Sequence, residues 1–306
     1  MRRGGPGRDA WRGLSAFVFA LGVWLALAPA ARADAVDDAM ARGAAAYQAG
    51  DFEAARRAFA EAGALLETPN AVVAYDLGTT YARLGDLGRA TYYLTLATDT
   101  RTHPTPEIAE RARANLAEVR RRAELLAAAE KAQIDRAASW WELLLESARA
   151  PWVGWGALLS GVLALLAWFV RARIVRRARG GVLTAVLVVS VVSYGVLGGL
   201  HAMALRADTI APRGILLGRV VEVRERPSRH APKALAAVGG ARVRVEESVS
   251  GFVRVRLPGS NLEGWVPAGE VGRLDDLSFA ARDLGRLAAA HAPSGAPAPA
   301  GAPSAP

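Results

Sequence analysis

Two long apolar stretches divide this chain. Residues 151–170 and 182–205 contain no Asp, Glu, Lys or Arg, and each has about the ~20 residues with which a helix crosses ~30 Å of hydrocarbon. The loop 171–181 between them carries five arginines and no acid. Because Arg next to a span resists translocation, this loop is expected to stay in the cytoplasm. The pattern predicts a two-helix transmembrane hairpin. The regions before and after it are expected to lie on the opposite side of the membrane from the loop. Two buried helices of a soluble core are the alternative, although such helices are usually shorter and amphipathic.

Residues 1–33 have the pattern of a signal peptide. Four arginines precede the short apolar stretch 14–28, and Ala31-Arg32-Ala33 is a small-x-small cleavage site. An uncleaved anchor is the alternative. Either way the following segment is exported, which agrees with the orientation derived from the loop.

An internal repeat occupies residues 36–98. Gly50 and Gly85 lie 35 positions apart, close to the 34-residue period of tetratricopeptide repeats. In each repeat, small residues allow a close helix contact, one glycine turns between the helices, and one large residue fills the remaining space. These structural residues are Gly43, Gly50, Ala55 and Phe59 in the first repeat, and Gly78, Gly85, Ala90 and Leu94 in the second.

A further helix is expected to cap the second repeat. Thr105 is a suitable N-cap and Pro106 suits the first helical position, so residues 36–135 are predicted to form tetratricopeptide repeats with a capping helix. No residue breaks this helix before Ala150. Residues 136–150 contain Trp140-Trp141 and are expected to lie at the membrane–water interface, where Trp is enriched. A plain extension of the preceding helix is the alternative.

The first helix of each repeat lines the concave surface of such an array. Its residues here are Met40, Tyr47, Gln48, Tyr75, Thr79 and Arg83. They predict a groove for a partner segment, although Tyr47 and Tyr75 serve equally well as packing residues of a small helical array. Asp76 and Thr79 stand where repeats that clamp a C-terminal carboxylate carry Asn, so a receptor for chaperone tails is not expected.

Short strand patterns follow the second apolar stretch. Apolar and polar residues alternate in 219–226 and 252–257, and turns such as Gly239-Gly240 separate the runs. The pattern predicts a small all-β SH3-like barrel over 213–275. Its expected structural residues are Arg224, Pro227, Gly264 and Trp265, the last in the core.

Three smaller features complete the architecture. An Ala-rich helix is expected over 277–290, and residues 292–306 contain only Ala, Pro, Gly and Ser, which predicts a disordered tail. Gly195 and Gly199 form a small-xxx-small pair that lets helix backbones approach. Packing inside the hairpin is the expected use of this pair, and contact between two copies is the alternative.

The net charge of +9 does not predict a nucleic-acid surface. Residues 1–33 contribute +4 and the loop 171–181 contributes +5, so targeting and topology account for the whole excess. The chain has no Cys, and its four His are scattered without metal-ligand spacing. Phosphate-loop, metalloprotease and nucleophile-elbow motifs are missing. We expect no enzyme activity, no metal and no cofactor.

The order of parts resembles the BatE-type proteins of the Bacteroides aerotolerance (Bat) system. Residues 75–90 (YDLGTTYARLGDLGRA) look like that family's second repeat, and 113–120 (RANLAEVR) look like its following helix. Residues 223–228 with Gly264-Trp265-Val266 resemble the first and closing strands of bacterial SH3 domains. The resemblance implies a scaffold in the bacterial inner membrane, working beside von Willebrand factor A-type membrane proteins and indirectly a MoxR-type ATPase in envelope stress tolerance or protein maturation.

Three functions compete at this point. The first is a protein–protein interaction scaffold with both soluble domains in the periplasm. The second is peptidoglycan binding through the SH3-type domain, because residues 206–290 carry +4 against an anionic wall. The third is a periplasmic hydrolase, which no local motif supports.

Overall fold

The computed structural model describes residues 33–135, 140–173, 180–260 and 262–289. Within them lie nine α-helices and one seven-stranded antiparallel sheet, so the predicted combination of helices and β-structure is confirmed at this level. The helices are α1 (33–48), α2 (Phe52–Leu65), α3 (Ala71–Leu84), α4 (Leu87–Leu96), α5 (Pro106–Glu130), α6 (Trp140–Ala148), α7 (Pro151–Arg173), α8 (Gly180–Ile210) and α9 (Leu277–Ala289). The strands are β1 (Arg213–Leu216), β2 (Val220–Arg224), β3 (Lys233–Val238), β4 (Arg242–Val249), β5 (Phe252–Arg256), β6 (Glu263–Pro267) and β7 (Val271–Arg273). The signal peptide apart from Ala33, most of the arginine-rich loop and the tail 292–306 lie outside the described residues.

The chain divides into two compact units. One contains the described residues 33–122 and 276–289, here called the helical unit. The other contains those from 123 to 275, here called the hairpin–sheet unit. The helical unit therefore combines segments from before and after the two apolar helices.

The pairs α1–α2 and α3–α4 of the helical unit use the same close contact. A Cβ on Gly43 would lie 2.5 Å from the ring of Phe59, and a Cβ on Gly78 would lie 2.6 Å from Cγ of Leu94. Ala55 and Ala90 are fully buried at equivalent positions. The two pairs therefore pack alike, at a spacing of 35 residues.

The turn inside each pair is also repeated. Gly50 and Gly85 adopt φ of 82° and 79°, a conformation that costs other residues about 1 kcal/mol or more. The following residue, Asp51 or Asp86, accepts a hydrogen bond from the backbone N–H three residues on, at 2.9 and 3.0 Å. The Gly-Asp dipeptide thus ends one helix and caps the next.

The helix expected at the C-terminus is present as α9, and its packing was not foreseen. The rings of Phe279 and Tyr92 meet edge to face at 5.7 Å, and Tyr93 Oη donates a 2.7 Å hydrogen bond to the Asp283 carboxylate. Ala280 is fully buried. The last helix is therefore an integral part of the helical unit.

The helix starting at Pro106 does not continue to Ala150. It ends at Glu130, and Lys131 takes a positive φ of 50° although no Gly or Pro marks the site. A new helix, α6, begins at Trp140. The prediction of an unbroken helix was therefore wrong.

Tertiary contacts of residues 133–135 explain this break. Gln133 N donates to Ala236 O at 2.7 Å, and Val238 N donates to Gln133 O at 3.0 Å, so the segment pairs with β3. The buried Asp135 carboxylate accepts 2.8 Å hydrogen bonds from both N and Nε of Arg242. This segment belongs to the sheet by its contacts.

The sheet has the order β3-β2-β6-β5-β4-β1-β7 and is open. The outer strands β3 and β7 do not pair with each other, so the closed barrel expected from the strand pattern is not formed among the described residues. One face is apolar and packs around Val223, Val243, Val255 and Val266. A short 3₁₀ helix, Ala268–Glu270, links β6 to β7.

Helices α7 and α8 are both long and apolar enough to cross a membrane, which confirms this part of the prediction. Only 22 % and 6 % of their most apolar segments is buried, so neither is enclosed in a soluble core. They pack against each other where small residues of α7 face larger ones of α8. Gly154 lies against His201, and Gly161 lies against Tyr194.

Gly195 and Gly199 do not take part in this contact. A Cβ on either residue would meet no atom within 4 Å, whereas one on Gly198 would lie 3.9 Å from Ala157. Packing of the pair inside the hairpin was therefore a wrong expectation, because the two residues lie off the α7-facing side of the helix. Contact between copies stays a prediction.

Candidate partner-binding surface

An aromatic and cationic cluster lies at the junction of α1, α2 and α3. The rings of Tyr47 and Phe52 meet edge to face at 5.2 Å, and the guanidinium carbon of Arg83 lies 4.8 Å from the centre of the Phe52 ring. Tyr47 and Phe52 are half-buried, and Arg83 is exposed. A cation over an aromatic face at this distance is attractive by about 0.5–1 kcal/mol at exposed sites. The cluster presents aromatic surface and a positive charge together.

Sequence reasoning named Tyr47 and Arg83 but missed Phe52. Phe52 follows the Gly50-Asp51 turn directly and is the first residue of α2. A side chain at that point lies beside the end of α1, so the turn itself was the signal that could have identified it. Tyr47, Phe52 and Arg83 are called the Tyr47 cluster below.

The other expected groove residues have mixed surroundings. Tyr75 is half-buried, and its hydroxyl accepts a long, 3.4 Å hydrogen bond from Asn115 Nδ2 of α5. The Thr79 hydroxyl lies 2.9 Å from the Tyr75 carbonyl, within its own helix. Met40 is half-buried and Gln48 is exposed. The structure therefore joins Tyr75 to α5 and leaves Gln48 open to solvent.

Asp76 is the single acidic residue of α3. It is half-buried, and its carboxylate has no hydrogen-bond or ion-pair partner among the described residues. Burial raises the pKa of this carboxyl from 3.8 to about 6. An unpaired, partly desolvated carboxylate attracts a cationic group more strongly than a solvated one does. Asp76 can therefore receive a basic side chain of a partner.

Trp265 gives the sheet a second surface. It is half-buried and alternates along β6 with the buried Gly264 and Val266, so it lies on the outer face rather than in the expected core. Its neighbours across the strands are Arg224 and Arg254. Strand phase explains the difference, because successive side chains point to opposite faces.

The remaining expected structural residues of the sheet are placed as follows. Gly264 lies so close to β2 that a Cβ would be 2.6 Å from Val223 Cγ1 and 2.7 Å from the Arg224 carbonyl oxygen. Arg224 donates 2.8 Å and 2.7 Å hydrogen bonds to the Ala231 carbonyl and the Glu222 carboxylate. Pro227 is half-buried in the turn between β2 and β3. Gly264 thus permits a close approach of two strands.

No group of three or more His, Asp or Glu residues in the described part of the chain could hold a metal ion. A shallow surface cleft among α2, α3, α4 and α9 is lined mainly by apolar side chains such as Leu77 and Leu284. Comparison with known proteins assigns no activity, since no family model, curated protein or solved structure matches the chain.

Proposed function

We propose that this protein is a non-enzymatic scaffold, anchored in the membrane, that binds protein partners through tetratricopeptide-type repeats. The observation that carries the proposal is the repetition of two helix pairs. Each pair has the same glycine contact, the same positive-φ glycine and the same Asp cap 35 residues apart. Repeats of this kind stack into binding surfaces for partner segments.

The membrane anchor is the hairpin α7–α8. Its lipid-facing surface is apolar, and Trp152 and Trp155 at one end are 68 % and 70 % exposed. At the other end are Trp168, Arg171 and Arg173. Aromatic residues at both ends of a span and arginines at one end suit a helix pair whose loop stays in the cytoplasm. We therefore place the remaining parts of the chain in the periplasm.

The helical unit is built from two chain segments, which supports an even number of membrane crossings between them. Its residues 33–122 precede the hairpin and its residues 276–289 follow it. Tyr93 and Asp283 from the two segments share a 2.7 Å hydrogen bond. The two segments must lie on one side of the membrane to pack together, and two spans achieve this.

The Tyr47 cluster and Asp76 are the proposed contacts to the partner. The cluster offers aromatic faces and one cation, and Asp76 offers an unpaired carboxylate. Within the proposed likeness to BatE-type proteins, the partners are von Willebrand factor A-type membrane proteins, and a MoxR-type ATPase acts with them indirectly. The sheet is then an SH3-type domain of the same scaffold.

Affinity capture from detergent-solubilised membranes tests the proposal. The bait is the full chain, and Arg83→Ala is compared with Arg57→Ala, another exposed arginine of the helical unit that lies on α2. We expect a von Willebrand factor A-type protein to be captured by the wild type and by R57A, and lost with R83A. Equal capture by both variants would remove the Tyr47 cluster as the contact.

Peptidoglycan binding is a second candidate because Trp265 is half-exposed between two arginines. An aromatic face can stack on a sugar, and this stacking carries the candidate because Arg224 and Arg254 are already paired with Glu222 and Glu263. Sedimentation of the full chain with purified sacculi tests this, with Trp265→Ala as the variant. Binding at physiological salt that is lost in W265A would favour this candidate over the scaffold.

A further inference from the structure

We propose that Arg149, Arg213 and Arg244, gathered around Asp208, bind the phosphate of an anionic phospholipid at the boundary of the hairpin. These residues lie within the hairpin–sheet unit, between α6 and α7, on β1, on β4 and near the end of α8. The inference rests on the membrane crossing in the proposed function and adds a lipid ligand to it. The four residues are called the Asp208 cluster.

Asp208 is the centre of the cluster. Its Oδ1 accepts hydrogen bonds from Arg149 Nη2 at 2.9 Å and from Arg244 Nη1 at 2.7 Å. Arg149 Nε is 2.7 Å from Oδ2 but is not aligned to donate a hydrogen bond to it. Arg213 Nε is 4.0 Å from Oδ1, which is an ion-pair distance and too long for a hydrogen bond.

The charges of the cluster do not balance. Three guanidinium groups face one carboxylate, which leaves a net charge of +2 around a partly buried centre. Burial lowers the pKa of Arg149, and the charges of Arg213 and Arg244 lower it further, against the opposing effect of Asp208. One arginine is enough to pair with Asp208 and join the hairpin to the sheet. The other two positive charges repel each other near a partly buried carboxylate, so the site favours an additional anion.

Arg213 is the residue best able to contact that anion. Half of its side chain is exposed, and its guanidinium has no hydrogen-bond partner among the described residues. A planar guanidinium can donate two parallel hydrogen bonds to phosphate oxygens. Arg213 is thus positioned to bind while Arg149 and Arg244 supply charge.

The depth of the cluster matches the lipid headgroups. The rise from Pro151 to Arg171 is about 30 Å at 1.5 Å per residue, which equals the hydrocarbon thickness. Across the hairpin, His201 lies beside Gly154, and Asp208 is about 10 Å further along α8. Asp208 therefore lies just outside the hydrocarbon, beyond the exposed Trp152. Lipid phosphates occupy this level.

Lipid retention by the full chain tests the inference. The protein is placed in nanodiscs of phosphatidylcholine and phosphatidylglycerol, released, and the lipids still bound are identified by native mass spectrometry. Arg213→Gln is compared with Arg206→Gln. Arg206 is also exposed and lies on α8, but it is two residues from Asp208 and so projects from the far side of the helix.

We expect the wild type to retain phosphatidylglycerol preferentially. R206Q is expected to lose at most about fivefold of that preference, as for any one basic residue at an anionic surface, and R213Q is expected to lose clearly more because it also removes hydrogen bonds to the phosphate. An unchanged preference in R213Q, or an equal loss in R206Q, would overturn the site. Displacement of the lipid by equimolar inorganic phosphate would overturn the lipid identity. Resistance of the chain to alkaline extraction from membranes tests the anchor separately, so failure of the proposed function is distinguishable.

Discussion

The two helix pairs of the helical unit share their local contacts and differ in their surroundings. In α1–α2, Gly43 faces the ring of Phe59, and Tyr47 remains at a half-open edge. In α3–α4, Gly78 faces both the side chain and the backbone N of Leu94, and Tyr93 is buried beneath α9. Helix α9 contacts both pairs, since a Cβ on Gly63 of α2 would lie 2.8 Å from Leu284 and Tyr93 of α4 is bonded to Asp283. The repeat therefore fixes how each pair closes, whereas the neighbouring elements decide which of its side chains are enclosed.

The largest difference is expected from alanine at the two contact glycines. In Gly78→Ala, the new Cβ would lie 2.9 Å from a backbone atom, which cannot move aside as a side chain can. We expect this overpacking to lower the free energy of unfolding by about 2–3 kcal/mol, and Gly43→Ala to lower it by about 1 kcal/mol. Amide hydrogen exchange of α3–α4 and α1–α2 measures both, and equal losses would contradict the comparison.

Removal of one hydroxyl tests the contact between α4 and α9. Tyr93→Phe deletes the hydrogen bond to the Asp283 carboxylate, and bonds to charged groups contribute about 1.5–3 kcal/mol. We expect a loss of about 2 kcal/mol and faster hydrogen exchange in α9. Tyr47→Phe is the control and is expected to change stability by less than about 0.5 kcal/mol, as is usual for surface substitutions. If amide hydrogen exchange in α9 is unchanged in Y93F, the Tyr93–Asp283 hydrogen bond does not hold α9 against α4.

The two Asp caps give a smaller contrast. Loss of an N-cap costs about 1 kcal/mol, so Asp51→Ala is expected to lower stability by that amount. Asp86 also pairs with Arg89 at 2.8 Å, and Asp86→Ala should therefore cost about 1.5 kcal/mol. Chemical denaturation of the two variants measures the difference. An equal or larger loss in D51A would mean that the ion pair adds nothing.

Asp76 is expected to make stability depend on pH, whereas its counterpart 35 residues earlier, Ala41, cannot. Folding raises the pKa of Asp76 from 3.8 to about 6, so the folded state holds the proton more tightly. This group therefore favours folding below about pH 4, and that contribution is lost as the pH rises through about 6. We expect Asp76→Asn to stabilise the protein at pH 7 by about 1 kcal/mol, allowing for partial exposure, and to have no effect near pH 3.5. Thermal unfolding at the two pH values measures this, and a pH-independent effect would contradict the assignment.

The repeat contacts and the apolar helices could be predicted from sequence because each depends on short-range patterns. The spacing of Gly43 and Gly78 follows helix geometry, and an uncharged run of about 20 residues identifies a span. The end of α5 could not be predicted, because pairing of Gln133 with β3 and the Asp135–Arg242 contact override the local helix preference. These partners are about a hundred residues apart in the chain.

The candidate sites were predicted less completely for the same reason. Tyr47 and Arg83 could be named from repeat positions, but the approach of Arg83 to Phe52 joins α3 to α2. The Asp208 cluster combines residues from the two ends of the hairpin with two strands, so no local motif indicates it. Trp265 faces outward because its neighbour Gly264 faces inward, where β6 lies too close to β2 for a side chain, and successive residues of a strand face opposite sides.

Cysteine labelling tests most directly the claim that the hairpin holds the soluble parts on one side of the membrane. The chain has no Cys, so single cysteines at the exposed positions Gln48, Ser248 and Ala172 report on the helical unit, the sheet and the loop end of α7. Spheroplasts are treated with a membrane-impermeant maleimide before and after lysis. We predict labelling of Gln48→Cys and Ser248→Cys in intact spheroplasts, and labelling of Ala172→Cys only after lysis. Labelling of A172C before lysis, or protection of either of the other two, would contradict the account.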